Sequence, residues 1–110
     1  MDIEKLKVIA DENRLAIVTL LAGGERCVCE VASELGLSDA LVSHHVRRLS
    51  DAGIVRVRRV GRWRHCRLDD EVLQAMAEEF AQLSKAAREA AAVPGECSSC
   101  APPRSIEETS

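Results

Sequence analysis

The sequence has 110 residues and a mass of 12.0 kDa, which suffices for one small domain and excludes a catalytic domain beside a regulatory one. Hydrophobic residues make up 46% of the chain and aromatic residues only 2%, a balance that favours packed helices over a β-sandwich. No run of about 18 apolar residues occurs and the first residues do not resemble a signal peptide, so we expect a soluble, cytoplasmic protein without membrane contact. In that compartment the five cysteines are expected to remain thiols, available for metal binding or redox sensing.

The net charge of −3 hides an uneven distribution of charge along the chain. Residues 38–67 contain eight arginines and two aspartates, so this segment carries +6 and the remainder carries −9. Such asymmetry is typical of a phosphate-binding surface, although surface arginines also serve solubility.

Capping and glycine signals divide the first half of the chain into four predicted helices. They are Ile3–Ile9, Glu12–Leu21 after the cap Asp11, Val28–Leu35 before Gly36, and a fourth helix that begins at Asp39 after the cap Ser38. The second helix is apolar nearly all round and is expected to be the buried centre of the domain. The third and fourth helices are joined by a tight turn that contains Gly36, a pattern that predicts a helix-turn-helix.

A rotation of about 100° per residue divides the fourth helix into two faces. The face expected to pack in the core contains Leu41, Val42, His45, Val46 and Leu49, and the opposite face contains Ala40, Ser43, His44, Arg47 and Asp51. The second face is polar and short-chained, as a helix needs to be if it is to enter a major groove and contact base edges. We therefore expect His45 to be a core histidine and His44 to point outward.

The segment after Gly53 is rich in β-branched residues and partly alternating, and Gly61 interrupts it with a residue suited to positive φ. This pattern predicts a β-hairpin over residues 54–68. Arg59, Arg62 and Arg64 lie near its tip, so the hairpin can serve as a wing that follows a sugar-phosphate backbone. Protection of a sheet edge by arginine is the alternative explanation.

A last helix is predicted over residues 71–92, after the cap Asp69-Asp70 and before Pro94-Gly95. Its apolar stripe consists of Leu73, Met76, Ala77, Phe80, Leu83, Ala87, Ala90 and Ala91. A domain of this size cannot cover such a stripe alone, so we expect a homodimer, which also suits a palindromic DNA site. The predicted organisation is a mainly α domain with a small β-hairpin over residues 1–92 and a flexible tail over residues 93–110.

Four motifs, in this order, resemble the ArsR/SmtB family of metal-responsive winged-helix repressors: CVCEVA at 27–32, LSDALVSHHVRRL at 37–49, AGIV at 52–55 and GRWR at 61–64. The resemblance covers residues 11–92. It implies a winged helix-turn-helix homodimer that binds double-stranded operator DNA when metal-free and releases it when an ion binds. It assigns base-reading positions to Ser38, Ala40, Ser43 and His44, beside the outward-facing Arg47, and wing contacts to Arg58, Arg59 and Arg62.

The Cys-Val-Cys motif at 27–29 resembles the thiol site of the family's arsenite and cadmium/lead sensors. Residues two apart on a regular helix project about 200° apart, so we expect that Cys27 and Cys29 reach one ion only when the first turn unwinds. That unwinding would displace the fourth helix, which is the recognition helix of the predicted helix-turn-helix. A site built from thiolates selects soft ions.

Two departures from the family pattern concern the remaining ligands. The third cysteine of the arsenite sensors is replaced by Ala32, and no cysteine precedes Cys27. We therefore expect Cys97 and Cys100 in the tail to join the metal site, because Cys-x₂-Cys is a natural chelating pair. The expected inducer is arsenite or antimonite, with cadmium or lead as the alternative, and no cofactor is expected to be required for DNA binding.

The last predicted helix contains no histidine, so the family's zinc, nickel or cobalt site there is expected to be absent, and Cys66 is expected to serve packing. A redox-sensing repressor of the same fold remains an alternative. A metal-buffering protein or thiol oxidoreductase is disfavoured because Cys97 and Cys100 lie in a Ser/Pro-containing tail instead of a rigid helix start. No nucleophile-His-acid set or phosphate loop is present, so no enzyme is expected.

Overall fold

The computed structural model describes residues 1–91 and contains five helices and three short strands in that range. They are α1 (Ile3–Ile9), α2 (Glu12–Leu21), β1 (Arg26–Cys27), α3 (Val28–Leu35), α4 (Asp39–Asp51), β2 (Val55–Val60), β3 (Trp63–Leu68) and α5 (Asp70–Ala90). The predicted fold class, mainly α with a small β-hairpin, is confirmed. The predicted end of the last helix and the tail with Cys97 and Cys100 lie outside the described residues.

The predicted capping residues begin and end the helices of the helix-turn-helix region. Asp11 accepts a hydrogen bond from the Arg14 amide at 3.0 Å, and Ser38 accepts one from the Leu41 amide at 3.1 Å. Gly36 ends α3 in the left-handed region, with φ of 68°, where a side chain would be strained. Gly36 and the Ser38 cap together fix the turn between α3 and α4.

The hairpin belongs to a three-stranded antiparallel sheet with the order β1-β3-β2. Gly61, with φ of 61°, lies in the tight turn between β2 and β3, as predicted. The strand β1 was not predicted, because a two-residue strand is too short to show alternation. β1 pairs with β3 through Arg26 opposite Cys66 and Cys27 opposite His65.

The core lies between the helices and the inner end of the sheet. Its fully buried side chains are Ile17, Val31, Val42, Val46, Leu49, Ile54, Val55 and Cys66. On α4 the buried stripe runs from Val42 through His45 and Val46 to Leu49, which is the spacing i, i+3, i+4, i+7. The prediction that Leu41 is also buried is wrong: it is 37% exposed, because it lies about 100° around the helix from Val42.

The helix α2, expected to be the buried centre of the domain, does pack against α3, α4 and β3, but its burial is one-sided. Ile17 and Leu21 are buried, whereas Leu15 is exposed. The helix packs on α3, α4 and β3, and the side that carries Leu15 faces solvent in a single chain.

The last helix begins at Asp70, one residue earlier than predicted, and Asp69 caps it by accepting hydrogen bonds from the Glu71 and Val72 amides. No residue of α5 is fully buried, and Phe80 and Leu83 are 49% and 59% exposed. Among the described residues no helix combines the length and apolar character needed to cross a membrane.

Candidate nucleic-acid interface and thiol site

The outward face of α4 lines a groove of about 530 Å³ between this helix and the sheet. The predicted base-reading residues Ala40, Ser43, His44 and Arg47 line it, together with Val57 and Arg64 of the strands. Ala40, His44 and Arg47 are exposed and Ser43 is half-buried, so the side chains at these positions reach the surface. Ser38 is also exposed, and its hydroxyl is engaged as the cap of α4.

Arg64 belongs to the same surface, although it is not among the residues predicted for the site. Its guanidinium donates a hydrogen bond to the Ser43 hydroxyl, which joins β3 to the recognition helix. The register of the hairpin decides which arginines project toward α4, because directly opposed residues such as Arg64 and Arg59 project to the same face of the sheet. The sequence carries no signal for that choice.

The predicted wing arginines are all exposed, and two of them have partners within the chain. Arg58 forms an ion pair with Glu25 at 2.8 Å. The Arg62 guanidinium lies 5.8 Å from the ring centre of Trp63, within the range of a cation–π interaction. The wing therefore presents a cluster of cationic groups to solvent, as phosphate contact requires.

A buried polar network lies behind the recognition helix. His45 is buried, as predicted, and its Nδ1 lies 3.2 Å from Nη1 of Arg14, which also donates through Nε to the Val8 carbonyl. Arginine can only donate, so Nδ1 acts as the acceptor of a neutral imidazole. Burial lowers the pKa of His45, and the nearby Arg14 charge acts in the same direction. This network connects α1, α2 and α4.

The two thiols of the Cys-Val-Cys motif meet at the start of α3. Cys27 is the cap residue, with extended backbone at φ −74° and ψ 148°, and its sulfur accepts a hydrogen bond from the Cys29 amide at 3.3 Å. The Cys27 and Cys29 Sγ atoms lie 2.6 Å apart. The expectation that unwinding must precede their convergence is wrong, because the 200° argument applies only when both residues are helical and Cys27 lies before the helix.

The thiol pair is electrostatically asymmetric. The hydrogen bond from Cys29 lowers the pKa of Cys27, while the same contact raises the pKa of Cys29. The first proton therefore leaves more easily than from an isolated cysteine, and the second leaves less easily. The Glu30 carboxylate accepts a hydrogen bond from the Cys27 amide at 2.8 Å and completes a capping box around the pair.

No further ligand joins these thiols in the described part of the chain. Residues 1–91 contain no cluster of three or more His, Cys, Asp or Glu side chains suited to hold a metal ion. Cys66 is fully buried, donates to the Arg26 carbonyl at 3.3 Å and has its pKa raised to about 11 by burial, which fits the predicted packing role. Cys97 and Cys100 lie beyond the described residues.

Comparison with known proteins agrees with this arrangement. Residues 11–57 match the family model described as "Bacterial regulatory protein, arsR family". The chain is 38% identical over 73 residues to the arsenical resistance operon repressor of Escherichia coli, covering 66% of this chain and 62% of the relative. It is also 38% identical over 81 residues to the cadmium resistance transcriptional regulatory protein CadC homolog of Staphylococcus aureus, covering 72% of this chain and 67% of the relative. The chain belongs to the ArsR family.

Solved structures of transcription regulators are similar in fold to this chain. A possible transcriptional regulator for arsenical resistance superposes with a TM-score of 0.67 at 32% identity, covering 84% of this chain and 98% of that chain. A homodimeric winged helix-turn-helix domain of Mycobacterium bovis superposes with a TM-score of 0.61 at 32% identity, covering 78% and 77%. These neighbours confirm the winged helix-turn-helix.

Membership in the ArsR family confirms that the chain is a transcription regulator and not an enzyme. The chain matches about two thirds or less of the length of the two curated relatives named above. The inducer and the DNA target of this ArsR-family protein are therefore matters for proposal.

Proposed function

We propose that this protein is a cytoplasmic repressor that binds operator DNA as a homodimer and leaves it when a soft, thiophilic ion, arsenite or antimonite, binds at Cys27 and Cys29. The observation that carries the proposal is the 2.6 Å approach of these two sulfurs at the first residue of the helix-turn-helix. Two adjacent thiols fit soft ions by their donor chemistry. Their position means that a change at the sulfurs acts directly on the DNA-binding element.

DNA binding is assigned to the groove between α4 and the wing. Ser38, Ala40, Ser43 and His44 would read base edges, and Arg47 would contact the backbone or a guanine from the same face. Arg58, Arg59 and Arg62 would contact phosphates in a sequence-independent way. The groove lined by Ala40, Ser43, His44 and Arg47 supports the assignment to α4, and the exposure of Arg58, Arg59 and Arg62 supports the assignment to the wing.

The sulfur atoms of Cys27 and Cys29 supply two ligands of the proposed inducer site. Arsenite is satisfied by three thiolates and cadmium or lead by three or four. Cys97 and Cys100 are proposed to supply the remainder, from the same protomer or its partner. Ligation would change the charge of the Cys27 sulfur and the direction of its lone pairs, and would therefore alter the capping interaction with the Cys29 amide that begins α3.

Dimer formation is assigned to α5. Phe80 and Leu83 expose about half or more of their side chains on the stripe that the sequence predicts as an interface. The homodimeric M. bovis neighbour supports this assignment. Two recognition helices related by a two-fold axis suit a palindromic operator.

A redox-sensing repressor is the second candidate, and the thiol distance favours it specifically. Two sulfurs this close can lose two electrons and two protons to an oxidant such as peroxide and form a disulfide. That reaction needs no tail cysteine. Cadmium or lead sensing is the alternative within the ion hypothesis, and the S. aureus relative supports it.

Native mass spectrometry of the reduced protein distinguishes these possibilities by counting ions and retained protons per dimer. We expect arsenite to bind with loss of three thiol protons per site. If three thiolates coordinate, one of the variants Cys97→Ser and Cys100→Ser keeps ion binding and the other loses it. If four coordinate, both weaken binding to a similar extent. The redox-sensing repressor would be favoured instead if peroxide releases the DNA and the protein gains no mass with arsenite, antimonite, cadmium or lead.

A further inference from the structure

Glu25 links the segment that carries the thiols to the wing. It precedes β1 directly, two residues before Cys27. Its carboxylate lies 2.8 Å from Nη2 and 3.5 Å from Nε of Arg58, and 3.6 Å from Nδ1 of His65. One side chain at the entrance to the thiol site therefore holds a predicted phosphate-contacting arginine.

The register of the sheet places the thiol segment and the wing arginine in one row of residues across the three strands. Cys27 of β1 lies opposite His65 of β3, and His65 lies opposite Arg58 of β2. Directly opposed residues of antiparallel strands project to the same face of a sheet. Cys27, His65 and Arg58 thus follow one another across the three strands, and Glu25 contacts the last two of them.

We propose that Glu25 is a positioning residue that couples occupancy of the Cys27–Cys29 site to the placement of Arg58 in the wing. The inference rests on the proposed function. With free thiols, the extended backbone of Cys27 keeps β1 paired with β3, and Glu25 holds Arg58 in one position. Rearrangement of Cys27 on thiol ligation shifts β1, and the Glu25 carboxylate carries that shift to the wing arginine.

Two properties of the ion pair suit it to this role. Arg58 remains 62% exposed, so the guanidinium keeps donors available for a phosphate while Glu25 holds it from one side. Arg58 also lowers the pKa of Glu25, so the carboxylate is charged at neutral pH. Exposed ion pairs add little to folding stability, and replacement of Glu25 by glutamine is expected to leave the fold intact.

The chain offers a matched control and an internal probe. Glu34 of α3 approaches Arg26 of β1 at 4.0 Å and forms no ion pair with an arginine of the wing within residues 1–91, so Glu34→Gln removes a carboxylate that pairs with β1 and leaves the partner of Arg58 in place. Trp63 is the sole tryptophan and lies at the start of β3, next to the wing turn. Its fluorescence reports on the wing even without DNA.

The test measures two responses of the full-length protein, its Glu25→Gln variant and its Glu34→Gln variant. The first is the ratio of operator dissociation constants with and without arsenite. We expect this ratio to lie in the usual coupling range of about 5- to 150-fold for the parent and Glu34→Gln, and to fall by about fivefold or more in Glu25→Gln. The second is the change in Trp63 fluorescence on adding phenylarsine oxide, which condenses with two close thiols and releases water. We expect Glu25→Gln to lose most of this change while the same number of thiols reacts.

The outcomes separate the coupling from the proposed function. Parent-like ratios and a parent-like Trp63 response in Glu25→Gln would overturn the coupling and leave the proposed function standing. Equal losses in Glu25→Gln and Glu34→Gln would also overturn it, because a general charge effect would then explain both. If arsenite does not release the parent from DNA, the proposed function fails, and the Trp63 response alone decides whether Glu25 couples the thiols to the wing.

Discussion

Arg64 of β3 donates a hydrogen bond to the hydroxyl of Ser43 on α4. The contact joins the wing to the recognition helix within the surface assigned to DNA. Arginine is always charged, so its field also reaches the DNA side of the groove. The position of the wing relative to α4 is thus set in part by Ser43, a residue proposed to read the operator.

Ser43 and Arg64 are expected to contribute to operator binding as a pair. Ser43→Ala and Arg64→Ala should each weaken binding to a selected operator, and the double variant should weaken it by less than the sum of the two. We expect a coupling energy of about 0.5–3 kcal/mol from a double-mutant cycle measured by fluorescence anisotropy. Strict additivity would show that the hydrogen bond has no part in recognition.

The wing and the recognition helix are expected to differ in the kind of binding that they supply. Arg62→Ala should weaken binding to operator and random duplexes alike and reduce the salt slope by about one. His44→Ala should instead reduce discrimination between the two duplexes by about 1–3 kcal/mol. Titrations at several salt concentrations give both quantities. Parent-like binding of both duplexes by both variants would contradict the proposed interface.

The exposed stripe of α5 is expected to hold the dimer together. Leu83→Glu places a charge where the proposed interface excludes water, at a cost of several kcal/mol, and should yield monomers. Gln82→Glu adds the same charge one residue away, off the stripe, and should remain dimeric. Sedimentation velocity distinguishes the two. A dimer of unchanged affinity in Leu83→Glu would remove α5 from the interface.

Folding stability is expected to decrease in mild acid because of His45. Burial holds the folded-state pKa of His45 below its ordinary value of about 6.5, so the unfolded chain binds a proton at this imidazole more readily than the folded chain does. The neutral, buried imidazole therefore contributes fully to folding stability at pH values above its ordinary pKa. This contribution decreases as the pH falls from the ordinary pKa toward the lower folded-state pKa. Urea denaturation of the parent and of His45→Gln between neutral and mildly acidic pH measures the effect, with His44→Gln as the exposed control. The same acid dependence in parent and His45→Gln would assign it to other groups.

Local signals in the sequence predict most of the fold and only part of the site. Caps such as Ser38 and the αL residue Gly36 act within a few residues, so both helix ends near them are predicted correctly. β1 and the contact between Arg64 and Ser43 depend on the register of strands far apart in the chain, which periodicity does not report. The start of α3 at Val28 was predicted correctly, but the thiol geometry was not, because the 200° argument treats Cys27 as helical and this residue lies before the helix with extended backbone.

The response of operator binding to arsenite tests whether Cys27 and Cys29 sense the ion that releases DNA. Operator binding is followed by fluorescence anisotropy at fixed salt, with a thiol-free phosphine reductant, during titration with arsenite. Cys27→Ser is the decisive variant, because serine also caps a helix well but its neutral hydroxyl is a poor ligand for soft ions. Cys66→Ser is the control. We predict that the parent and Cys66→Ser lose operator affinity by about fivefold or more, while Cys27→Ser binds operator normally and keeps it in arsenite. Release of Cys27→Ser at parent concentrations of arsenite would contradict the account.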